Sequence, residues 1–297
     1  MIVRPFGDTG LVVSALGLGA GAVGAASSDR EADDLLSAAV DLGITFLDTA
    51  PSYGSSEERI GRWLAAEPSR RARVVLSTKT GYGVAGAVDW TAECVTRGIH
   101  EALERMRIDV IDVMHLHSCP RDVLERADQV IEPLERAREA GKIKVVAYSG
   151  ENDALEWATS SGRFGAIQCS VNLFDQRSLD GSVAVARARG FGVVAKRALG
   201  NAPWRFLERP AGDYAERYWE RMRAMQLHPC ELGWSELALR FATFAPGVST
   251  ALVGTRSRGH LEANARAIER GPLPASTYES VRTVFHAHHD ASWIGQV

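Results

Sequence analysis

The sequence predicts an α/β fold, a (β/α)8 barrel preceded by a β-hairpin, and three observations support this prediction. Short apolar, β-branched runs alternate eight times with longer amphipathic segments. Residues 1–13 instead hold two short apolar runs joined by a glycine-rich turn, which is typical of a hairpin. The 297-residue chain shows no linker or low-complexity stretch, and barrels of this length commonly form one domain. We therefore expect residues 1–297 to form a single barrel domain.

Each predicted strand is a short apolar run bounded by turn residues or by a polar residue. In chain order the predicted strands are 15–20, 44–48, 74–79, 110–117, 145–149, 166–172, 192–198 and 250–254. Helices are expected where apolar residues recur with helical spacing, at 29–42, 57–66, 91–106, 122–140, 153–160, 179–188, 231–244 and 261–268. Residues 201–229 do not follow this alternation and are predicted to be an insertion over one face.

A doubly wound open sheet is the alternative architecture. Such a fold normally carries G-x-G-x-x-G after its first strand. The glycines at positions 17, 19, 21 and 24 do not have that spacing, so the barrel is favoured.

Composition narrows the class of protein. The chain is 45% hydrophobic and 24% charged with a net charge of -3, which gives no electrostatic reason to expect nucleic acid or an anionic membrane as a partner. No apolar run reaches the roughly 18 residues of a membrane helix, and the N-terminus lacks the pattern of a signal peptide. Cytoplasmic localisation is expected. The cysteines form no C-x-x-C and are expected to be reduced thiols, at positions Cys94, Cys119, Cys169 and Cys230.

Four polar residues are predicted to meet at the mouth of the barrel, because active sites in this fold lie at the C-terminal ends of the strands. They come from three successive strands and are Asp48, Tyr53, Lys79 and His117. A lysine beside a tyrosine lowers the tyrosine pKa from its usual value of about 10, and a carboxylate would hold the lysine charged. A histidine could orient a carbonyl oxygen. This set predicts carbonyl reduction, in which hydride reaches the carbon while Tyr53 protonates the oxygen.

An ordered set of segments resembles the aldo-keto reductase family over nearly the whole chain. G-I-T-F-L-D-T-A-P-S-Y-G looks like the signature around the family's catalytic aspartate and tyrosine, S-T-K like the segment of its lysine, and I-D-V-M-H-L-H like the strand of its histidine. The later segments G-K-I-K-V-V-A-Y-S, A-I-Q-C-S-V-N and V-G-T-R-S-R-G-H-L-E-A-N resemble its cofactor-binding segments. The resemblance implies an NADPH-dependent reductase of aldehydes or ketones that uses no Rossmann domain.

The same resemblance implies binding of NADP(H), with NAD(H) as the second possibility. Ser149 and Gln168 match the residues that contact the nicotinamide carboxamide. The loop after strand seven matches the one that holds the diphosphate, and the loop after strand eight the one that meets the adenosine end. The further positions implied are Lys196, Arg197, Leu199, Gly254, Thr255, Arg256, Ser257, His260 and Asn264.

Three positions depart from the family pattern. Gly150 stands where an asparagine usually contacts the carboxamide, and Lys196 stands where an aromatic usually stacks on the nicotinamide. His260 replaces an arginine for the 2′-phosphate, which leaves Arg256 for that group and weakens the preference for NADPH over NADH.

Other functions remain open at this point. His115 and His117 share a strand face near Cys119, which is a possible start of a zinc site in a barrel hydrolase. The cluster of His286, His288 and His289 is a second metal candidate, although a polar last helix is favoured and no metal is expected.

The protein could also oxidise a sugar or alcohol with NAD(P)+, or act as a cofactor-binding regulatory protein. The substrate is expected to be a small carbonyl compound or sugar, and oligomeric state is not predicted. Aromatic pocket candidates are Tyr82, Trp90, Trp204 and Trp293.

Overall fold

Eight parallel strands close into a barrel, preceded by a two-stranded hairpin, as predicted. The structure, a computed structural model, describes residues 1–296, and the side chain of Cys230 lies outside the description. The hairpin strands are β1 (Val3–Pro5) and β2 (Val12–Ser14). The barrel strands are β3 (Leu16–Gly19), β4 (Phe46–Asp48), β5 (Val75–Thr80), β6 (Ile111–His117), β7 (Ile143–Ser149), β8 (Ala166–Ser170), β9 (Gly192–Lys196) and β10 (Thr250–Val253).

The barrel closes where β10 pairs with both β9 and β3, and every other strand pairs with its neighbour in the chain. The strands are buried on both faces because side chains fill the interior and helices cover the outside. Their observed ends lie within two residues of the predicted ends. All eight C-terminal ends therefore meet at one mouth.

Helices cover the outside of the barrel and begin and end near the predicted positions in most cases. They are α1 (Gly21–Gly24), α2 (Asp29–Asp41), α3 (Ser56–Ala66), α4 (Ala92–Met106), α5 (Arg121–Leu124), α6 (Ala127–Val130), α7 (Glu132–Glu139), α8 (Asn152–Ser161), α9 (Arg177–Asp180), α10 (Ser182–Ala188), α11 (Glu216–Met225), α12 (Trp234–Thr243), α13 (Arg258–Glu269) and α14 (Ala275–His288). Short 3-10 turns occupy Pro68–Arg73, Pro203–Arg205 and Cys230–Leu232.

Two predicted helices are interrupted. The helix expected over 122–140 is three short helices, α5 to α7, and Pro133 lies in the first turn of α7, where its missing N–H costs nothing. The helix expected over 179–188 is divided at Gly181. The stretch 201–229 contains a further helix, α11, that the alternation of the sequence did not predict.

The hairpin closes the N-terminal end of the barrel. Phe6 and Val13 are fully buried and belong to the apolar cluster of the barrel interior. The Phe6 ring lies 5.7 Å from that of Phe46 on β4, centroid to centroid. A second and larger apolar cluster fills the layer between the strands and the helices. The mouth at the other end is therefore the open face of the barrel.

Within residues 1–296 no helix is both long and apolar enough to cross a membrane. Cys94, Cys119 and Cys169 are buried free thiols, as the sequence predicted. The prediction for Cys230 falls on a side chain outside the described residues.

Candidate active site

The centre of the mouth is a buried ion pair between Asp48 and Lys79. Asp48 ends β4 and Lys79 lies near the end of the neighbouring strand β5, so both side chains point to the same place. Lys79 Nζ donates to Asp48 Oδ2 and to the Thr49 carbonyl, both at 2.7 Å. The relative exposures of Asp48 and Lys79 are only 1% and 2%. Burial is the largest influence on the Lys79 pKa and lowers it, but Asp48 and Tyr53 outweigh burial and the pKa is raised. The lysine is therefore held as an ammonium.

Ser77 and His115 lie one layer deeper in the barrel. Ser77 Oγ donates to Asp48 Oδ1 at 2.9 Å, and His115 Nε2 lies 3.1 Å from Ser77 Oγ. Burial lowers the pKa of His115 to about 3, so its ring is neutral. Ser77 precedes Lys79 by two residues and so shares its strand face. That spacing could have identified Ser77 from the sequence.

Tyr53 is placed above this pair by the loop that follows β4. Its ring centroid lies 4.9 Å from Lys79 Nζ. Its backbone is fixed because Tyr53 N donates to the Ala50 carbonyl and its own carbonyl accepts from Ser56 N. Helix α1 packs closely against this loop at Gly24, where a Cβ atom would lie 1.7 Å from the Tyr53 carbonyl oxygen. A glycine at position 24 is therefore needed for the loop to hold this position.

The electrostatics at Tyr53 differ from the expectation of a lowered pKa. Lys79 is the largest single influence and lowers the Tyr53 pKa. Burial and the Asp48 carboxylate together outweigh it, so the pKa is raised. The sequence argument omitted both opposing effects, because burial and the distance to Asp48 are not visible in the chain. Tyr53 is therefore a protonated phenol over the whole neutral range.

His117 lies on the same side of the mouth as Tyr53, at the end of β6. Burial, followed by the charges of Lys79 and Lys196, lowers its pKa to about 2, so the ring is neutral. The Tyr82 ring lies 4.8 Å from the His117 ring. Trp90 Nε1 donates to the His117 carbonyl at 3.0 Å and packs edge-on against Tyr82. The predicted pocket aromatics Tyr82 and Trp90 thus support the histidine.

One cleft of about 830 Å³ lies at the mouth of the barrel, and its lining includes Tyr53, Lys79 and His117. The cleft brings together ten of the predicted site residues, namely Asp48, Tyr53, Lys79, His117, Ser149, Gln168, Lys196, Arg197, Leu199 and Gly254. The segment after β9 also contributes Arg205, Asp213 and Tyr214, which the sequence did not single out. The predicted insertion does therefore cover one side of the mouth. Trp204 instead stacks on Trp234 at 5.6 Å and lines a different cavity.

Ser149 and Gln168 end up side by side, because they are register partners on β7 and β8. Both side chains are buried, and within the described part of the chain Ser149 Oγ and Gln168 Oε1 have no hydrogen-bond partner. Gly150, the first departure from the family pattern, is explained by packing. A Cβ atom there would lie 2.3 Å from Tyr148 Oη, which donates to the Cys119 carbonyl. The tyrosine and a side chain at position 150 exclude each other.

Lys196 and Arg197 share a buried carboxylate that sequence reasoning missed. Glu151 Oε1 lies 3.2 Å from Lys196 Nζ and 3.4 Å from Arg197 Nη1. The same oxygen accepts from the backbone N and the hydroxyl of Ser170. Arg197 also donates to Ser170, to the carbonyl of Gln296 and to the hydroxyl of Tyr214. A glutamate at the start of a helix carries no sequence signal for this role.

The predicted adenosine end is displaced from the centre of the cleft. Ser257 caps α13, and its Oγ accepts from His260 N at 3.3 Å. Thr255 Oγ1 accepts from Ser257 N and lies 3.2 Å from His260 Nδ1. Arg256 lines a separate surface cavity of about 620 Å³ together with Glu31. Asn264 is half-buried on α13.

Comparison with known proteins identifies the family. A model of the aldo/keto reductase family matches residues 15–285. The chain belongs to the aldo/keto reductase family. It is 27% identical to L-galactose dehydrogenase of Arabidopsis thaliana over 98% of this chain and 96% of that protein. It is 30% identical to D-threo-aldose 1-dehydrogenase of a Pseudomonas species over 72% and 76% of the two chains. An aldo-keto reductase of Bacillus halodurans in its holo form superposes with a TM-score of 0.83 at 24% identity, with 96% of each chain covered.

Members of the aldo/keto reductase family are oxidoreductases that bind nicotinamide cofactors, and the cleft has suitable donors and acceptors for one. A nicotinamide carboxamide has an N–H₂ donor and a carbonyl acceptor. Gln168 Oε1 can accept and Ser149 Oγ can donate, and both atoms lack protein partners among the described residues. The capped N-terminus of α13, with Arg256 nearby, suits a phosphate.

The two metal sites considered from the sequence, at His115 with His117 and at the C-terminal histidines, are not formed by the described residues. Among the described side chains, which leave out Cys230, no group of three or more His, Cys, Asp or Glu residues could hold a metal ion. His286 lies 3.6 Å from Asp180, His288 bonds to the Val284 carbonyl, and His289 stacks on Phe285. The histidines near the C-terminus are thus part of the packing of α14.

Proposed function

We propose that this aldo/keto reductase uses NADP(H), with NAD(H) as the second choice, to interconvert a small carbonyl compound and its alcohol, and that it reduces an aldehyde or ketone. The observation that carries the proposal is the buried Lys79–Asp48 pair directly beneath Tyr53. A phenol held against a buried ammonium can release a proton to a nearby oxygen and leave a phenolate beside a positive charge.

Tyr53 would act as the general acid. Its raised pKa keeps the phenol protonated at neutral pH, as an acid in the reductive direction requires. Lys79 lowers the energy of the phenolate formed when the proton leaves, because the ammonium is fixed by Asp48 and cannot turn away. Asp48 is thus a positioning residue for Lys79.

His117 would orient the carbonyl oxygen between its ring and Tyr53. Since its pKa is about 2, the ring is neutral at physiological pH and acts by hydrogen bonding. Trp90 and Tyr82 hold its backbone and ring in place. A neutral histidine can direct the oxygen toward the phenol without competing for the proton.

The nicotinamide cofactor, when bound, supplies or accepts the hydride. Ser149 and Gln168 would hold its carboxamide, and Arg256 with the N-terminus of α13 would hold its adenosine phosphate. Barrel order puts Ser149 on β7, beside His117 on β6, and puts Gln168 on β8, between β7 and β9. A substrate carbonyl would then lie between the cofactor and Tyr53.

A sugar is the substrate class that we favour. The names of both sugar-dehydrogenase relatives denote galactose or aldose oxidation. Polar and charged side chains form part of the lining of the cleft, including Arg205, Asp213 and Tyr214. These groups can hydrogen-bond hydroxyls. The relatives also favour the reverse reaction, oxidation of a sugar hemiacetal by NAD(P)+, as the second candidate function.

The test is a titration of the purified protein with NADPH and NADH, followed by tryptophan fluorescence, and then turnover assays. Trp90 contacts His117 directly and is a natural reporter for this site. We expect saturable binding of NADPH, and absorbance changes at 340 nm with aldoses in the oxidative direction or with aldehydes in the reductive direction. If neither cofactor binds, the proposal is wrong. Tight binding without turnover of any aldose, aldehyde or ketone would instead favour a regulatory protein.

A further inference from the structure

Lys196 is a charged residue inside the cleft that the proposed reaction does not use. It ends β9, and its Cα pairs in register with that of Ser170 on β8. Gln168 precedes Ser170 by two residues and so lies on the same face of β8. Lys196 therefore stands at the strand end immediately next to the acceptor proposed for the carboxamide. Its side chain is only 16% exposed, so its charge acts in a poorly hydrated place.

Because of the order of the strands, the two faces of a nicotinamide ring bound in this cleft would meet different residues. Tyr53, Lys79 and His117 come from β4 to β6 and their loops, whereas Lys196 comes from β9, across the mouth. A ring whose carboxamide is held by Ser149 and Gln168 would have one face toward Tyr53, where the substrate enters. Its other face would meet Lys196.

The charge of Lys196 is incompletely neutralised. Its partner Glu151 is shared with Arg197, and the same Glu151 oxygen accepts two hydrogen bonds from Ser170. One carboxylate thus faces two cations. Behind it, Arg221 and Asp175 form a second pair at 3.7 Å. The surroundings of Lys196 therefore keep a surplus of positive charge beside the cleft.

We propose that Lys196, anchored by Glu151, forms the face of the nicotinamide site opposite Tyr53 and makes the protein bind reduced cofactor more tightly than oxidised cofactor. The proposal rests on the proposed function, since it requires a nicotinamide in this cleft. The physical reason is that the oxidised ring carries a positive charge and the reduced ring does not. A nearby ammonium repels only the oxidised form. An aromatic residue at the same position would do the opposite, because a π face attracts a cationic ring.

A linked consequence concerns the bound cofactor. Any residue that weakens the binding of the oxidised form relative to the reduced form makes the bound oxidised form easier to reduce by the same factor. Lys196 would therefore promote hydride acceptance on the protein and speed the dissociation of oxidised cofactor. Easier hydride acceptance suits the sugar-oxidising direction, whereas faster dissociation of oxidised cofactor suits the reductive direction, in which it is the product.

The test compares dissociation constants for NADP+ and NADPH, with NAD+ and NADH in parallel, by tryptophan fluorescence and calorimetry. In Lys196→Met we expect NADP+ to bind about tenfold more tightly while NADPH changes by less than about twofold. Lys196→Phe should increase the affinity for NADP+ relative to NADPH still further, because the aromatic face attracts the cationic ring. Glu151→Gln keeps the hydrogen-bond acceptor for Ser170 but removes the counter-charge, so NADP+ should bind more weakly. Opposite changes of NADP+ affinity in Lys196→Met and Glu151→Gln would show that the effect comes from charge.

The control is Lys142→Met, which removes an ammonium at the far end of the barrel, where Lys142 lies 3.0 Å from His100. It should leave both constants unchanged. If Lys196→Met weakens both redox forms equally, Lys196 binds a phosphate and the inference is wrong. If the ratio of the NADP+ and NADPH dissociation constants is unchanged in Lys196→Met, the inference is also wrong, but the proposed function is not contradicted. Failure of the unaltered protein to bind any of the four cofactors would instead contradict the proposed function itself.

Discussion

The two sides of the barrel mouth are built differently. The side formed by Asp48, Tyr53, Lys79 and His117, the tyrosine side, is held by direct contacts within the protein. Lys79 has two partners at 2.7 Å, and Asp48 accepts from both Lys79 and Ser77. The side formed by Ser149, Gln168 and Lys196, the glutamine side, is less complete. Ser149 Oγ and Gln168 Oε1 are without partners in the described chain, and Lys196 shares its carboxylate with Arg197.

We interpret this difference as a division of roles, with the tyrosine side suited to the chemical step and the glutamine side suited to recognition of the cofactor. The tyrosine side has its charges already fixed before any ligand arrives, which is what preorganised electrostatic stabilisation requires. The glutamine side presents buried hydrogen-bonding groups that a bound carboxamide would satisfy. All three departures from the family pattern lie outside the tyrosine side, at Gly150, Lys196 and His260. Changes on the tyrosine side should therefore affect turnover, and changes on the glutamine side should affect cofactor affinity.

The largest effect is expected from Tyr53→Phe, which removes only the hydroxyl. We expect kcat to fall by about a thousandfold, since general acid catalysis contributes about 10² to 10⁴. The ring remains to pack over Lys79, so the dissociation constant of the cofactor should change by less than about twofold. Steady-state kinetics and fluorescence titration check the two expectations. Tyr278→Phe, a tyrosine stacked on Phe241 away from the cleft, is the control. Near-normal turnover in Tyr53→Phe would show that another group donates the proton.

Lys79→Met should affect both turnover and stability. It leaves Asp48 buried without its cation, and breaking such a pair costs about 3–5 kcal/mol. Urea denaturation measures this loss. The ammonium is the largest influence that lowers the Tyr53 pKa, so its removal should move the alkaline limb of any residual activity to higher pH.

The double variant Asp48→Asn with Lys79→Met separates the two effects. It removes both charges, so much of the lost stability should return while turnover stays low. If turnover recovers together with stability, Lys79 has only a structural role and the proposed chemistry of the tyrosine side is wrong.

Gln168→Ala should have the smallest effect, confined to the cofactor. Loss of one or two hydrogen bonds to the carboxamide should weaken cofactor binding by about tenfold, since each contributes about 1 kcal/mol. Stability should change little, because within residues 1–296 Gln168 Oε1 has no partner to lose. Fluorescence titration measures the affinity. Gln129→Ala, at an exposed glutamine on α6, is the control. An unchanged cofactor affinity in Gln168→Ala would show that Gln168, and with it the glutamine side, does not recognise the cofactor.

The sequence predicted the barrel, and the convergence of Asp48, Tyr53, Lys79 and His117 at its mouth, for physical reasons. Buried parallel strands appear as apolar runs, and polar residues at their ends must meet at one mouth. Asp48 and His117 end β4 and β6, and Lys79 lies one residue before the end of β5, so strand order alone brings them together. Interruptions within a helix were harder to predict. The turns at residues 125–126 and 131 and the break at Gly181 depend on packing against the barrel, not on apolar spacing.

The electrostatics of the mouth could not be predicted from the sequence. Whether Tyr53 has a lowered or raised pKa depends on the balance of Lys79 against burial and Asp48, which requires distances. Glu151 lies directly after Gly150 in a stretch without any distinctive pattern, yet it is the carboxylate that Lys196 and Arg197 share. The small residue at position 150 is likewise explained only by the ring of Tyr148.

The close approach of α1 to the Tyr53 loop has a consequence for inherited variation. Gly24 touches neither the substrate space nor the ion pair, yet any side chain there would collide with the Tyr53 carbonyl. In a saturation-mutagenesis screen scored by the turnover of each variant, position 24 should tolerate almost no replacement. Loss-of-function alleles would then cluster at a short helix that carries no catalytic group of its own. A ranking of residues by distance from the ligand would overlook them.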